Sequence, residues 1–194
     1  NGDDVIINGD LTDQFSLDLN DTFELLQTLQ DFLAANSASR LVICTGNNDV
    51  SKRSDELGTA VFLGRLLSTH PNALLVQEPA DLGDGVYAIP HLTNQALFDQ
   101  ALQAVPQGVE FLLLHCNAMS TFAEHSDHSL NLSREQAVEL RARGITMILG
   151  HEHHRRDLMG GKLIVVGNQF PTSIADCVTP EGRASPGKDC LVIE

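Results

Sequence analysis

Five residues in this chain, Asp10, Asn47, His115, His151 and His153, could do chemistry together. Each closes or closely follows a short apolar run: Val5-Ile6-Ile7-Asn8-Gly9-Asp10, Leu41-Val42-Ile43-Cys44-Thr45-Gly46-Asn47, Phe111-Leu112-Leu113-Leu114-His115, and Ile145-Thr146-Met147-Ile148-Leu149-Gly150-His151-Glu152-His153. An apolar run that breaks off and delivers a polar side chain at once is how a buried parallel strand ends in a site loop. Four such strand ends can converge on one point. The carboxylate, amide and imidazoles gathered there, with no thiolate among them, would form a donor set suited to divalent transition metals. Taken singly, Gly9-Asp10 and Gly46-Asn47-Asn48-Asp49 are ordinary turn sequences, because Asn and Asp favour turns. His-x-His after a glycine is more informative, and the order of all four motifs is what carries specificity.

Positioning these residues takes strands and helices in alternation. Residues 21–36 form an amphipathic stretch with Phe23, Leu25, Leu26, Leu29, Phe32 and Leu33 as its apolar positions, which predicts a helix packed on a sheet. A strand at 41–45 follows, then a helix over 54–69 with Val61, Phe62, Leu66 and Leu67 inward. Short strands at 73–76 and 86–89 flank the turn Gly83-Asp84-Gly85. A helix at 94–105 leads to the strand ending at His115. Residues 116–132 read as a polar site-flanking loop, and Ser133 caps the next helix. Gly160-Gly161 between 157–159 and 163–166 is a hairpin signal, and 173–178 and 190–193 read as a β-rich ending. Strand-helix alternation predicts an α/β fold in a single domain over residues 1–194.

The 194 residues are 42% hydrophobic and 20% charged, which is enough to build one globular core. No apolar run approaches the length of a membrane span, so no membrane partner is expected. The net charge of -14 works against loose binding to a nucleic-acid backbone, and a polyanionic substrate would have to be attracted by bound cations. Cys44, Cys116, Cys177 and Cys190 have neither Cys-x-x-Cys spacing nor the density of a disulfide scaffold. They read as reduced thiols, which places the chain in the cytoplasm.

With Gly-Asp, Gly-Asn-x-Asp, a strand-terminal His and Gly-His-x-His in that order, the chain resembles the calcineurin-like metallophosphoesterase superfamily over about residues 5–153. The resemblance implies a four-layer αββα sandwich with a binuclear site between its sheets. Asp10 would bridge two divalent ions, Mn2+ first and Fe, Zn or Mg as alternatives. Asn47, His115 and His151 would complete one site, and His153 would join the other. It further implies cleavage of a phosphoester, here a phosphodiester, by a metal-activated hydroxide between cations about 4 Å apart. Imidazoles bind metal when neutral, so the site would lose metal as pH falls.

This chain departs from the family pattern in two ways. An Asp-x-His motif on a strand and helix upstream of the Gly-Asp loop is expected but does not precede Asp10, which suggests an N-terminally incomplete sequence. A catalytically inactive binding or scaffold member is the alternative. In addition, Asn48 stands where many members carry the histidine that protonates the leaving oxygen, and an amide cannot supply a proton. His125 and His128, in the polar loop, are candidates to replace it. Asp49 reads as a loop-ordering side chain and Glu152 as pointing away from the metals. His91, after Pro90, reads first as a strand-end residue and second as a substrate contact, and His154, Arg155 and Arg156 read first as solvated basic residues. The stretch Leu163-Ile164-Val165-Val166-Gly167-Asn168-Gln169-Phe170-Pro171-Thr172-Ser173-Ile174 is similar to one in the DNA-repair exonuclease branch, implying DNA or a nucleotide as partner. Gly9-Asp10-Leu11-Thr12-Asp13 is instead similar to the loop of small-molecule phosphomonoesterases and cyclic-nucleotide phosphodiesterases.

Overall fold

Apolar strands alternate with amphipathic helices through most of the chain, as the hydrophobic pattern predicts. The computed structural model describes residues 3–51, 56–120, 129–168 and 191–192. Its elements are β1 (Val5–Asn8), α1 (Leu19–Ala35), β2 (Leu41–Cys44), α2 (Thr59–Leu67), β3 (Ala73–Val76), β4 (Ala80–Gly83), β5 (Val86–Ile89), α3 (Gln95–Gln103), β6 (Phe111–His115), β7 (Asn117–Ala118), β8 (Asn131–Leu132), α4 (Arg134–Ala142), β9 (Thr146–Gly150), β10 (Arg156–Leu158) and β11 (Leu163–Val165). The helices begin where side chains satisfy their free N–H groups. Asp18 accepts from Asn20 and Asp21, Asn94 accepts from Leu97, and Ser133 forms a capping box with Gln136.

The strands form a mixed α/β architecture with two main sheets. One is parallel, in the order β1-β2-β3, and the other runs β10-β11-β9-β6-β5-β4, with parallel pairing from β11 to β5 and antiparallel strands at both edges. Every residue of β2 is at most 1% exposed, as expected for a parallel strand covered on both faces. Leu41 and Ile43 pack with Leu29 and Leu33 of α1 and Leu67 of α2, whereas Val42 and Cys44 pack with Leu113 and Ile148 of the larger sheet. The alternate residues Leu112, Leu114, Met147 and Leu149 pack with Phe98 and Leu102 of α3 and Ala137 and Leu140 of α4. Each fully buried aliphatic or aromatic side chain contributes about 1.5–3 kcal/mol relative to exposure, so the strands that carry the site residues are firmly seated.

Polar links fasten the two sheets at opposite ends. At the carboxyl ends, Asn8 Nδ2 of β1 donates to the carbonyls of Leu114 and Ile148, each at 3.1 Å. At the other end, Arg40 pairs with Asp4 and donates to the Leu82 carbonyl.

The structure corrects several expected boundaries and pairings. Strand 73–76 does not pair across the Gly83-Asp84-Gly85 turn. It belongs to the smaller sheet beside β2, and β4, absent from the sequence reading, is the antiparallel partner of β5. Helix α2 starts at Thr59, and its buried face is Ala60, Val61, Leu63, Gly64 and Leu67, leaving Phe62 and Leu66 substantially exposed. Phe23 of α1 is 64% exposed. The supposed loop at 116–132 contains the two-stranded β7-β8 ladder. Of the β-rich ending, 173–178 lies outside the described residues, and Leu191 and Val192 are not in a strand.

Candidate metal centre

Parallel pairing sets the four motifs side by side. Asn8 is in register with Cys44, so Asp10 and Asn47 leave adjacent strand ends, and His115 is in register with Gly150, next to His151. Donor atoms of Asp10, His115 and His151 lie within 4.8 Å of one another. Two of the five non-glycine residues with positive φ among the described residues lie here. Asp10 (φ 50°) and His151 (φ 82°) both take the left-handed conformation, which costs a residue with a Cβ about 1–3 kcal/mol. Two glycines make the close approach possible. A Cβ on Gly9 would lie 1.9 Å from His115 Nδ1, and one on Gly46 would lie 2.2 Å from Asp10 Oδ1.

Hydrogen bonds fix which atoms face the centre. His115 Nδ1 lies 3.1 Å from the Asn8 carbonyl oxygen, which can only accept, so Nδ1 carries the ring proton. In the neutral ring, the bare Nε2 lone pair then points at Asn47 Oδ1 (2.9 Å) and Asp10 Oδ2 (3.3 Å). Asn47 donates its Nδ2 to Asn48 Oδ1 at 3.0 Å, turning its own Oδ1 inward, where His151 Nδ1 is 2.7 Å away. The Asn48 N–H donates to Asp10 Oδ1 at 2.9 Å. Beneath the loops, Asp49 is fully buried and accepts from the N–H groups of Gly46, Leu11 and Thr12, tying the Asp10 loop to the Asn47 loop.

The electrostatics match this crowding. Burial raises the Asp10 carboxyl, but the His115 ring, the Asn48 N–H and the His151 ring more than offset it, leaving its pKa below the ordinary value. Burial, followed by the His115 charge, pushes His151 down to about 4. Burial together with His115 and His151 does the same to His91, also to about 4. Burial pushes Asp49 up against its three N–H donors, helped by the neighbouring Asp10 charge.

These residues fit a divalent cation. A carboxylate oxygen, an amide oxygen, the His115 Nε2 lone pair and a His151 ring nitrogen face one another; without a cation His151 Nδ1 donates to Asn47 Oδ1, and in its other neutral tautomer it presents a lone pair, which completes a donor set suited to a divalent cation. Bonds of about 2.1 Å to a common ion place neighbouring donors roughly 3.0–3.4 Å apart in octahedral or tetrahedral coordination. Of the observed separations, 3.3 Å lies in that range, and 2.7 and 2.9 Å are shorter, at hydrogen-bond length.

No protein-family model and no curated protein matches this chain. Its functional reading therefore rests on its own residues.

Of the expected site residues, Asp10, Asn47, His115 and His151 come together. His153 is exposed and is not part of the mutually close donor group, although its charge is felt by His151. The Asn48 side chain accepts from Asn47 Nδ2. His125 and His128 lie outside the described residues. Glu152 accepts from the Ala118 N–H at 2.6 Å and pairs with Arg156, away from the centre.

Two contributors were missed or undervalued in the sequence. Asn8 reads as the last residue of a strand, yet it sets the tautomer of His115 and joins both sheets. His91 ends the next strand of the same sheet, and its ring stands edge-on to His115 with centroids 6.2 Å apart. Val86-Tyr87-Ala88-Ile89-Pro90-His91 follows the same strand-then-ligand pattern as the other motifs, with Pro90 interposed.

Proposed function

We propose that this chain is a metal-dependent phosphoesterase that hydrolyses phosphodiester bonds, with the αββα arrangement of the calcineurin-like superfamily. The observation carrying this reading is the inward-facing set of Asp10 Oδ2, Asn47 Oδ1, His115 Nε2 and His151 Nδ1 at converging strand ends. Shared packing of Val42 and Cys44 with Leu113 and Ile148, and of helices on the remaining strand faces, supports the sandwich.

Asp10, Asn47, His115 and His151 would hold a divalent cation, Mn2+ by preference, with His153 joining a second. When bound, such cations neutralise phosphoryl oxygens and lower the pKa of water. The protein's own contribution is positional. The Asn8 carbonyl keeps the His115 proton on Nδ1, Asn48 orients Asn47 and Asp10, and Asp49 locks the two loops together. The net charge of -14 favours a nucleotide or other small diester over duplex DNA. No helix among the described residues is long and apolar enough to cross a membrane. Buried, unpaired Cys44 and Cys116 support a cytoplasmic setting.

The test is hydrolysis of bis(p-nitrophenyl) phosphate by the full-length protein with Mn2+. Activity should disappear on chelation and in Asp10→Ala, and activity indifferent to both would reject the reading. A second reading, a cation-binding member without hydrolytic activity, is supported by the separation of His153 from the other donors and by the Asn48 side chain's engagement with Asn47. Tight Mn2+ binding without turnover of diesters, cyclic nucleotides or monoesters would select it.

A further inference from the structure

The carboxyl ends of β5, β6 and β9 lie in a row in the larger sheet, and His91, His115 and His151 emerge from them in that order. The backbone N–H of His91 donates to the Thr45 carbonyl at 2.8 Å, fastening the residue to the loop that carries Asn47. Its ring is half-buried and perpendicular to His115, with an interplanar angle of 87°. It is not one of the mutually close donors. Among the described residues its ring nitrogens have no hydrogen-bond partner, whereas His115 is engaged through both. Its ring nitrogens are not among the buried unpartnered atoms of the described residues, so they are open to solvent and to a ligand beside the centre.

We propose that His91 is a substrate-contacting residue that donates a ring N–H to an oxygen of the phosphoryl group held at the Asp10–Asn47–His115–His151 centre. This rests on the phosphoesterase reading and adds a residue to it. A phosphoryl group presents several acceptor oxygens, and a donor on the strand next to His115 reaches those turned away from the cation. The ligand class is therefore a phosphate ester or inorganic phosphate.

The experiment is two-step calorimetry on the full-length protein, titrating Mn2+ into chelator-treated protein and then inorganic phosphate into the Mn2+-loaded form. The wild type is compared with His91→Gln and His91→Phe. Both variants should take up Mn2+ with affinity within about threefold of the wild type, which also shows that they are folded. Phosphate affinity should fall about tenfold or more in His91→Phe, the loss expected for a hydrogen bond to a charged group. His91→Gln, which keeps an N–H donor, should recover part of that loss. Unchanged phosphate affinity in His91→Phe with Mn2+ bound overturns this inference alone, as does loss of Mn2+ from both variants, which would make His91 a support for the ligands. A wild type that takes up no Mn2+ overturns the phosphoesterase reading together with this inference.

Discussion

The centre and the stretch just after it are built differently. Asp10, Asn47, His115 and His151 sit on or next to paired parallel strands, and each is oriented by a second group. Two residues past His151, His153 is exposed, among side chains committed elsewhere: Glu152 to Ala118 and Arg156, and Arg155 to Asp157 at 3.9 Å. An open polar cavity of about 430 Å³ lies there, lined by Asn117, Met119, Ser120, Glu152, His153 and Arg156. Donors on strand ends are positioned by sheet pairing before any ligand arrives, whereas a donor on the following loop depends on that loop's own bonds. One cation should therefore bind tightly at the strand ends and anything held through His153 more weakly.

The sharpest way to break this contrast is to remove one histidine from each side. His151→Ala should lower Mn2+ affinity on the order of a hundredfold or more, at least the upper end of what losing an outer hydrogen bond costs a metal site. His153→Ala should leave the tight ion in place, and equilibrium dialysis with Mn2+ distinguishes the two. Comparable losses in both variants would mean that the two regions bind as one.

Next comes the support beneath the strand-end donors. Asn8→Ala leaves the backbone carbonyl that holds the His115 proton but removes the amide that ties β1 to the Leu114 and Ile148 carbonyls, and should weaken Mn2+ about tenfold without touching a ligand. Gly9→Ala forces a Cβ into the His115 ring at a backbone angle that only glycine tolerates well. Strain and overpacking together should destabilise the metal-free protein by about 2–4 kcal/mol in urea unfolding. A substitution at Gly160, where an added Cβ meets nothing within 4 Å, should cost less.

The remaining test is stability against pH in chelator. His91 and His151 have folded values of about 4 against 6.5 when unfolded, so between those limits the unfolded chain takes up protons that the folded chain refuses. Stability should be fully expressed above pH 6.5 and fall as pH drops towards 4. The depressed Asp10 carboxyl acts in the same direction at still lower pH. Melting should shift down on acidification, by about 2–4 °C per kcal/mol lost, and His91→Phe should flatten the dependence. A flat profile in the wild type would show that these imidazoles are not held neutral.

How much of this was legible in the sequence depended on how far apart the interacting residues lie. The strand-end motifs could be read because a parallel strand hands its next residue to the sheet edge whatever the rest of the chain does, and the structure brings Asp10, Asn47, His115 and His151 together. The capping Ser133 and the Gly160-Gly161 hairpin are equally local. What failed was non-local. Assigning 73–76 to one sheet and 80–83 to the other requires knowing which strand each meets. The buried face of α2 depends on its contact with β3, which is why Phe62 and Leu66 were placed inside. Asn8 could not be read at all, because the carbonyls that its amide reaches are 106 and 140 residues away.

That same amide has a thermodynamic consequence. Because Asn8 bridges the two β-sheets while its carbonyl holds the His115 proton, an opening motion that parts the sheets also disassembles the cation cage. If the centre holds a cation, its uptake and sheet closure would be one cooperative event, and a bound ion should slow hydrogen exchange at β2 and β9 alike, well beyond the residues that touch it.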